Sequence, residues 1–252
     1  MQIQQSQVLI ATPDGRMPAV LLTPDRPDRK AAILLLMEAF GVTSHIRDVA
    51  ARIANEGYLV LVPDLYYREL PHNKIGYAEV DRAMAMMWRL DFGKPMENDI
   101  RAALTYIKSH PEVNPDRIGV TGFCLGGGLS FFTAVKLSNE IAAAASFYGM
   151  VADEWIDAVP DITVPVYLFF GGRDPFIGSN RIQQIEARFQ ELDKDYSLKV
   201  YPEAGHGFFC QERSDYNRVA AEDAWRELTR FFQQHLQFAR ISIDCSFSHK
   251  LN

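Results

Sequence analysis

A cysteine stands at the centre of the segment of this chain that is best suited to chemistry. Residues 122–126 read Gly-Phe-Cys-Leu-Gly, which places Cys124 between two glycines, each two positions away. The run from Arg117 to Thr121 predicts a short strand before the cysteine, and the run from Leu129 predicts a helix after it. A nucleophile on such a turn needs nearby glycines, because its backbone is strained and the strand and helix pass close together. The pattern therefore predicts a reactive thiol.

The position of Cys124 before a helix also has an electrostatic consequence. Unpaired N–H groups and the positive end of the helix dipole favour a thiolate over a thiol. The same N–H groups can bind an oxyanion. The alternative for the motif taken alone is a buried structural cysteine beside a glycine-rich helix contact, which is what free cysteines often are.

A sulfur nucleophile for acyl transfer needs a base, and the base needs a group that orients it. The predicted strand Pro165–Phe170 runs into a loop that carries Asp174, and the predicted strand Ser197–Tyr201 runs into a loop that carries His206. The chain order nucleophile, acid, histidine is that of the α/β-hydrolase fold. We therefore predict a Cys-His-Asp triad. The competing residues, which fit the strand ends less well, are His45, His72, His110, His235, His249, Asp64 and Asp116.

Alternating strand and helix patterns surround these residues. The chain opens with two short apolar runs, residues 6–10 and 19–22, separated by a Pro-Asp-Gly turn signal, which predicts a hairpin. Continuous apolar runs such as residues 31–37 are typical of strands covered on both faces in a parallel sheet. We predict an α/β-hydrolase fold with a mostly parallel sheet of about eight strands, an antiparallel N-terminal hairpin and helices on both faces. Residues 1–238 would form a single domain and residues 239–252 a C-terminal tail.

The composition of the chain disfavours several classes of function. The chain has 252 residues, of which 48% are hydrophobic and 23% charged, with a formal net charge of −6. The negative charge disfavours nucleic acid or an anionic membrane as the main partner. We expect no secretory signal or membrane span, a cytoplasmic location, and a monomer or small homo-oligomer. The three cysteines are an odd number at wide spacing, which predicts neither a disulfide framework nor a metal cluster.

Five motifs together resemble the dienelactone hydrolase family. They are MEAFG at 37–41, GYLVLVPDLY at 57–66, GFCLGGG at 122–128, GGRDPF at 171–176 and EAGHGF at 203–208. The resemblance implies a carboxymethylenebutenolidase-like hydrolase that cleaves a carboxylic ester or lactone through a thioester, with no metal or organic cofactor. It implies the roles of the residues as follows: Cys124, Asp174 and His206 as the triad, Glu38 as an extra carboxylate beside the thiol, and the backbone N–H groups of Ala39 and Leu125 as the oxyanion hole.

Substrate binding is where the sequence departs from the family. Members that act on carboxylate-bearing lactones are similar in having an arginine four residues after the histidine and another in the helix before a tryptophan. Here these positions hold Cys210 and Asp81, with arginines nearby at 82 and 213. A shift of one residue on a helix turns a side chain by about 100°, so dienelactone itself is in doubt as the substrate. The candidate substrate-binding residues are Phe40, Arg82, Trp88, Tyr148 and Phe208.

Two other classes of function remain open at this point. A ligand-binding relative would keep the fold and lose the chemistry, which the intact Cys, Asp and His argue against. A thiol redox sensor would need a low-pKa cysteine with a resolving partner, for which Cys210 is a candidate.

Overall fold

The centre of the structure is one eight-stranded sheet. A computed structural model describes residues 2–69 and 75–237 of the chain. The strands are β1 (Ile3–Thr12), β2 (Gly15–Pro24), β3 (Lys30–Leu36), β4 (Leu59–Pro63), β5 (Val113–Phe123), β6 (Ala143–Phe147), β7 (Val166–Gly171) and β8 (Tyr196–Tyr201).

The strand order is β1-β2-β4-β3-β5-β6-β7-β8. β1 pairs antiparallel with β2, and β2 pairs antiparallel with β4. All other neighbours, from β4 through β8, are parallel. The predicted mostly parallel sheet with an antiparallel N-terminal hairpin is confirmed.

Seven helices pack around the sheet within the described residues. They are α1 (Ser44–Asn55), α2 (Val80–Met87), α3 (Lys94–Ser109), α4 (Leu125–Lys136), α5 (Asp153–Asp157), α6 (Ser179–Glu191) and α7 (Arg218–Phe232). Short 3-10 turns occupy Ser138–Glu140 and Val159–Asp161, and a π-type turn occupies Gln233–Gln237. α4 begins four residues before the helix that the sequence predicts, because its first turn consists largely of glycines, which show no helical periodicity.

The inner strands of the sheet are covered on both faces. Every residue of β3, β4 and β6 is buried, and these strands carry the continuous apolar runs that the sequence shows. β8 is one of the two edge strands, and all of its residues are exposed or half-buried. The carboxyl ends of the inner strands therefore rest on a rigid core, and the loops that follow them can hold side chains in fixed positions.

Glycines let α4 approach the sheet closely. A Cβ on Gly126 would overlap the backbone carbonyl of Leu36 in β3, and a Cβ on Gly127 would overlap the carbonyl of Phe147 in β6. These obstacles are backbone atoms, which cannot move aside as a flexible side chain can. The helix that follows Cys124 can pack at this depth only with glycine at both positions.

Some residues named in the sequence prediction fall outside the described residues. They are the predicted tail, residues 239–252, which includes His249, and His72. Across residues 2–69 and 75–237, none of the helices combines the length and the apolar character that crossing a bilayer requires.

The substitution Gly126→Ala should lower the free energy of unfolding by about 1–3 kcal/mol or more, since overpacking against backbone forces the helix away from β3. Gly178→Ala is the matched control, because its Cβ would meet nothing within 4 Å and its φ of −69° suits alanine. The control should change stability by less than about 1 kcal/mol. Urea unfolding followed by circular dichroism measures both, and equal midpoints for the two variants would contradict the packing argument.

Candidate active site

Cys124 occupies a strained turn between the end of β5 and the start of α4. Its φ is 55° and its ψ is −113°, in a region that residues other than glycine rarely adopt. Two backbone hydrogen bonds hold the turn: the Cys124 N–H donates to Phe147 O at 3.1 Å, and the Gly128 N–H donates to Cys124 O at 3.1 Å. The strand-turn-helix context that the sequence predicts around Cys124 is therefore present.

A buried carboxylate–imidazole pair lies beside this turn. Asp174 Oδ2 is 2.8 Å from His206 Nδ1, and both residues are buried. The other carboxylate oxygen, Oδ1, accepts the backbone N–H groups of Phe176 at 2.8 Å and Ile177 at 3.1 Å. Because one oxygen is fixed by its own loop, the second is held toward the imidazole.

The loops that carry Asp174 and His206 pack directly against each other. A Cβ on Gly171 would lie 2.5–2.6 Å from the carbonyl oxygens of Ala204 and Gly205, so the contact requires glycine at 171. The Arg173 N–H donates to Ala204 O at 2.9 Å and joins the two loops. Residues 32 positions apart in sequence are thereby held in hydrogen-bond contact.

The environment of His206 favours the protonated imidazole. Burial alone lowers its pKa, but hydrogen bonding to Asp174 and to Cys124, together with the charges of both, outweighs burial and raises the pKa to about 9. The rings of Phe176 and Tyr148 flank the imidazole edge to face, with centroids 5.0 and 5.2 Å away. His206 is thus positioned between a carboxylate on one side and the sulfur on the other.

A cavity of about 420 Å³ opens onto Cys124 and His206. Ala39 and Leu125 line it as well. Leu125 is the first residue of α4, so its backbone N–H has no partner within the helix. The Tyr66 hydroxyl donates to Ala39 O at 2.8 Å and fixes the orientation of the Ala39 residue. Two backbone donors next to a nucleophile are the usual composition of an oxyanion hole.

The walls of the cavity are largely apolar. Phe40 and Trp88, two of the predicted substrate-binding residues, are among the lining residues, and Trp88 is 63% exposed. Besides His206, the charged side chains that line the cavity within the described residues are Glu154 and Arg213. The remaining large apolar lining residues are Val80, Met84, Met87, Phe92, Leu129, Met150, Val151, Trp155 and Phe176.

The structure places the other three predicted substrate-binding residues elsewhere. Arg82 forms an exposed ion pair with Glu79 at 2.8 Å and does not line the cavity. Tyr148 and Phe208 are fully buried, and their rings pack against each other with centroids 5.2 Å apart. Tyr148 contacts the His206 ring and Phe208 packs on Tyr148, but neither residue lines the cavity.

Glu38 lies at the end of β3 and is fully buried. Its Oε2 accepts the Tyr77 hydroxyl at 2.7 Å. Burial raises the pKa of Glu38, while the Tyr77 hydrogen bond and the charges of Arg213 and His206 partly oppose that effect. Glu38 therefore belongs to the same electrostatic environment as His206.

Cys210 and Arg213, both in the segment that follows His206, have different surroundings. Cys210 is fully buried, and burial raises the pKa of its thiol to about 11, which is the opposite of what a resolving thiolate needs. Arg213, three residues later, lines the cavity with its guanidinium 5.6 Å from the centroid of the Phe40 ring. The cation of this site thus comes from a position that the sequence left unassigned.

Sequence reasoning missed two tyrosines. Tyr66 lies within the GYLVLVPDLY motif, so the motif carried a signal for it. Tyr77 lies in the irregular stretch before α2, where no pattern singles it out, yet its hydroxyl contacts both Glu38 and, at 3.1 Å, Thr43 Oγ1. Such contacts between distant segments cannot be read from local sequence.

The chain is similar to known proteins over nearly its whole length. The model of the dienelactone hydrolase family matches residues 17–236. A Synechocystis protein named as a carboxymethylenebutenolidase is 33% identical over 93% of this chain and 98% of its own length. A Bradyrhizobium protein named as a lactonase of 2-oxo-3-(5-oxofuran-2-ylidene)propanoate is 28% identical over 86% of this chain and 89% of its own. A crystal structure described as a dienelactone hydrolase from Klebsiella pneumoniae superposes with a TM-score of 0.85 at 25% identity, covering 93% of this chain and all of that one.

The raised pKa of His206 predicts a pH-dependent contribution to stability. Because the folded pKa lies above the unfolded value, the contribution is fully present below about pH 6.5 and is lost as the pH rises through about 9. The free energy of unfolding of wild type minus that of His206→Gln should therefore fall by on the order of 3 kcal/mol across this window. Denaturant titrations at several pH values measure it.

The same difference measured in an Asp174→Asn background is the control. It should depend less on pH, because the carboxylate that raises the pKa is gone. A wild-type difference that stays flat, or that grows with pH, would show that the imidazole is not held as a cation.

Proposed function

The chain belongs to the dienelactone hydrolase family and is an ester or lactone hydrolase, and we propose that Cys124 is its nucleophile in a Cys-His-Asp triad. The observation that carries this proposal is the cavity that opens onto Cys124 beside an imidazole fixed at 2.8 Å by Asp174. The strained turn exposes the sulfur above the sheet, and the flanking loops supply the base and its orienting group.

The proposed reaction begins with attack of the Cys124 sulfur on the substrate carbonyl carbon. His206 holds the thiol proton, and the N–H groups of Ala39 and Leu125 bind the developing oxyanion. Collapse of the tetrahedral intermediate breaks the C–O bond, and His206 protonates the leaving alcohol. A thioester on Cys124 remains. His206 then removes a proton from water, the resulting hydroxide attacks the thioester, and the acid leaves as the sulfur regains its proton.

Asp174 acts through His206. Its Oδ2 accepts Nδ1–H, so Nε2 is the nitrogen left for exchange with the sulfur. The two backbone hydrogen bonds to Oδ1 keep the carboxylate from rotating away. Asp174 thereby fixes both the tautomer and the direction of the imidazole.

Glu38 is proposed as the second carboxylate that governs the thiol. A thiolate beside an imidazolium would be permanently open to oxidation, and the negative charge of a nearby carboxylate, which disfavours a second negative charge on the sulfur, limits this until substrate binds. The full burial of Glu38, its hydrogen bond to Tyr77 and its electrostatic interaction with His206 support the proposal.

The lining of the cavity supports an uncharged, apolar substrate. Methionine, tryptophan and phenylalanine side chains form most of the wall, and neither position 81 nor position 82 contributes a charge to it. Desolvating a carboxylate in such a cavity is costly unless a cation pairs with it. The two cationic lining residues in the described part of the chain already have carboxylate partners, since His206 pairs with Asp174 and Arg213 pairs with Asp215. We therefore expect esters or lactones with an apolar acyl group.

Cys124→Ala should reduce kcat with p-nitrophenyl acetate by about 10³-fold or more, since removing a nucleophile leaves only binding and the oxyanion hole. Cys245→Ala, which removes a cysteine outside the described residues, is the thiol control and should keep wild-type turnover. Mass spectrometry of acid-quenched wild type should show an acetyl group on Cys124. Unchanged turnover in Cys124→Ala would rule out the nucleophile.

A series of p-nitrophenyl esters tests the apolar cavity. Each added methylene should raise kcat/KM by up to about fourfold until the cavity is filled, because burial of a CH₂ is worth about 0.8 kcal/mol. Esters of equal length that end in a carboxylate are the matched comparison and should react more slowly. A preference for the carboxylate-ended esters would contradict the apolar-substrate proposal and point to Arg213 as an anion-binding residue.

A further inference from the structure

Three buried side chains that could each bind a metal ion lie close together near the loops that carry Asp174 and His206. Glu38, His45 and Cys210 each offer one ligand atom, and these atoms all lie within 4.8 Å of one another. Glu38 and Cys210 are fully buried, and His45 is 6% exposed. The sequence predicts no metal cluster because its cysteines are far apart, but folding joins a strand end, a helix and a loop at this point.

Different elements hold each member of the cluster in place. Glu38 follows β3, and His45 is in the first turn of α1, where its ring packs edge to face on Phe123 and Phe209 with centroids 6.0 and 6.1 Å away. Cys210 lies in the loop after β8, and its N–H donates to Gly207 O at 3.0 Å. The three side chains converge because the core packs around them.

Two polar atoms of the cluster have no hydrogen-bond partner among the described residues. They are Glu38 Oε1 and His45 Nε2, and both are completely buried. Buried polar atoms are nearly always paired, so each unpaired one requires an explanation. Here the two unpaired atoms belong to two members of one three-residue cluster, and a bound cation would satisfy both.

We propose that Glu38, His45 and Cys210 form a binding site for one Zn²⁺ ion. A carboxylate oxygen, an imidazole nitrogen and a thiolate sulfur are all established zinc ligands, and the sulfur selects against Mg²⁺ and Ca²⁺. Zinc bonds of about 2.0–2.3 Å in a tetrahedron separate ligand atoms by about 3.4–3.8 Å. Because the ligand atoms lie within 4.8 Å of one another, the three side chains need to close by at most about 1–1.4 Å to reach this geometry.

Charge balance also suits a divalent cation. The Cys210 thiol loses its proton on binding, and the negative charges of the Glu38 carboxylate and the Cys210 thiolate neutralise Zn²⁺ in a buried site. Glu212, which accepts the Ser44 hydroxyl at 2.7 Å, joins the segments that carry Cys210 and His45 near the surface. Arg213 and His206 are the cations that act on Glu38, and each pairs with a carboxylate of its own, Arg213 with Asp215 at 3.4 Å and His206 with Asp174 at 2.8 Å. The site shares Glu38 with the hydrolase chemistry, but zinc binding does not depend on that chemistry.

Metal binding to the tag-free, reduced, chelator-treated full chain tests the proposal. Equilibrium dialysis with elemental analysis should find one Zn²⁺ per chain, and Zn²⁺ should raise the Tm. With Co²⁺ as the probe, a thiolate-to-metal charge-transfer band should appear in the near ultraviolet. Cys210→Ser should abolish the band, and His45→Gln should weaken Zn²⁺ affinity more than about 100-fold, since even changes around zinc ligands cost about 10- to 100-fold.

Cys124→Ser and His110→Gln are the matched controls, and both should retain one Zn²⁺ per chain, the cobalt band and the rise in Tm. Circular dichroism of the metal-free Cys210→Ser and His45→Gln proteins establishes that they are folded. If either is unfolded, His45→Asp, which keeps a ligand, should restore part of the affinity. Binding of less than one Zn²⁺, or a cobalt band that survives Cys210→Ser, would overturn the proposal.

Discussion

The close packing of α4 on the sheet is the constraint on which the site depends. Gly126 and Gly127 place the first turn of the helix against the carbonyls of β3 and β6, and no side chain fits there. That contact forces Cys124 into a positive-φ turn at the carboxyl ends of the strands. Because the inner strands are fully buried, the strain at Cys124 is supported by a core that cannot relax around it. The sulfur therefore stands at the cavity floor rather than in the core.

Burial of several ionisable groups in one apolar region is the second feature that shapes the chemistry. Asp174, His206 and Glu38 are all buried, and Arg213 is close enough to act on the charge of Glu38. Burial disfavours the charged form of each isolated group, but a cation beside a carboxylate stabilises the charged forms of both. At His206 the partners prevail and the pKa rises, whereas at Glu38 burial prevails. Small changes in this group of charges are therefore expected to alter the protonation of His206 and Glu38.

Local sequence patterns predicted well those elements that depend on interactions between neighbouring residues. Continuous apolar runs identified the buried strands, and the Pro-Asp-Gly signal identified the hairpin between β1 and β2, because turn and strand preferences depend on neighbouring residues. The sequence predicts the start of α4 four residues too late, because the glycines in its first turn add nothing to a helical pattern of apolar residues. The sequence correctly predicted that Asp174 and His206 lie next to each other. Each residue follows a parallel strand, and the carboxyl ends of parallel strands lie at the same edge of the sheet.

The sequence by itself determined the fold class, the family and the candidates for the catalytic residues, since all of these follow from motifs and strand order. Only the tertiary structure decided the surroundings of these residues. It brought Tyr77 to Glu38, put Arg213 rather than Arg82 at the cavity, and gathered Glu38, His45 and Cys210 from three distant segments. The physical reason is that side-chain contacts between segments depend on packing distances, which leave no periodic signal in the chain.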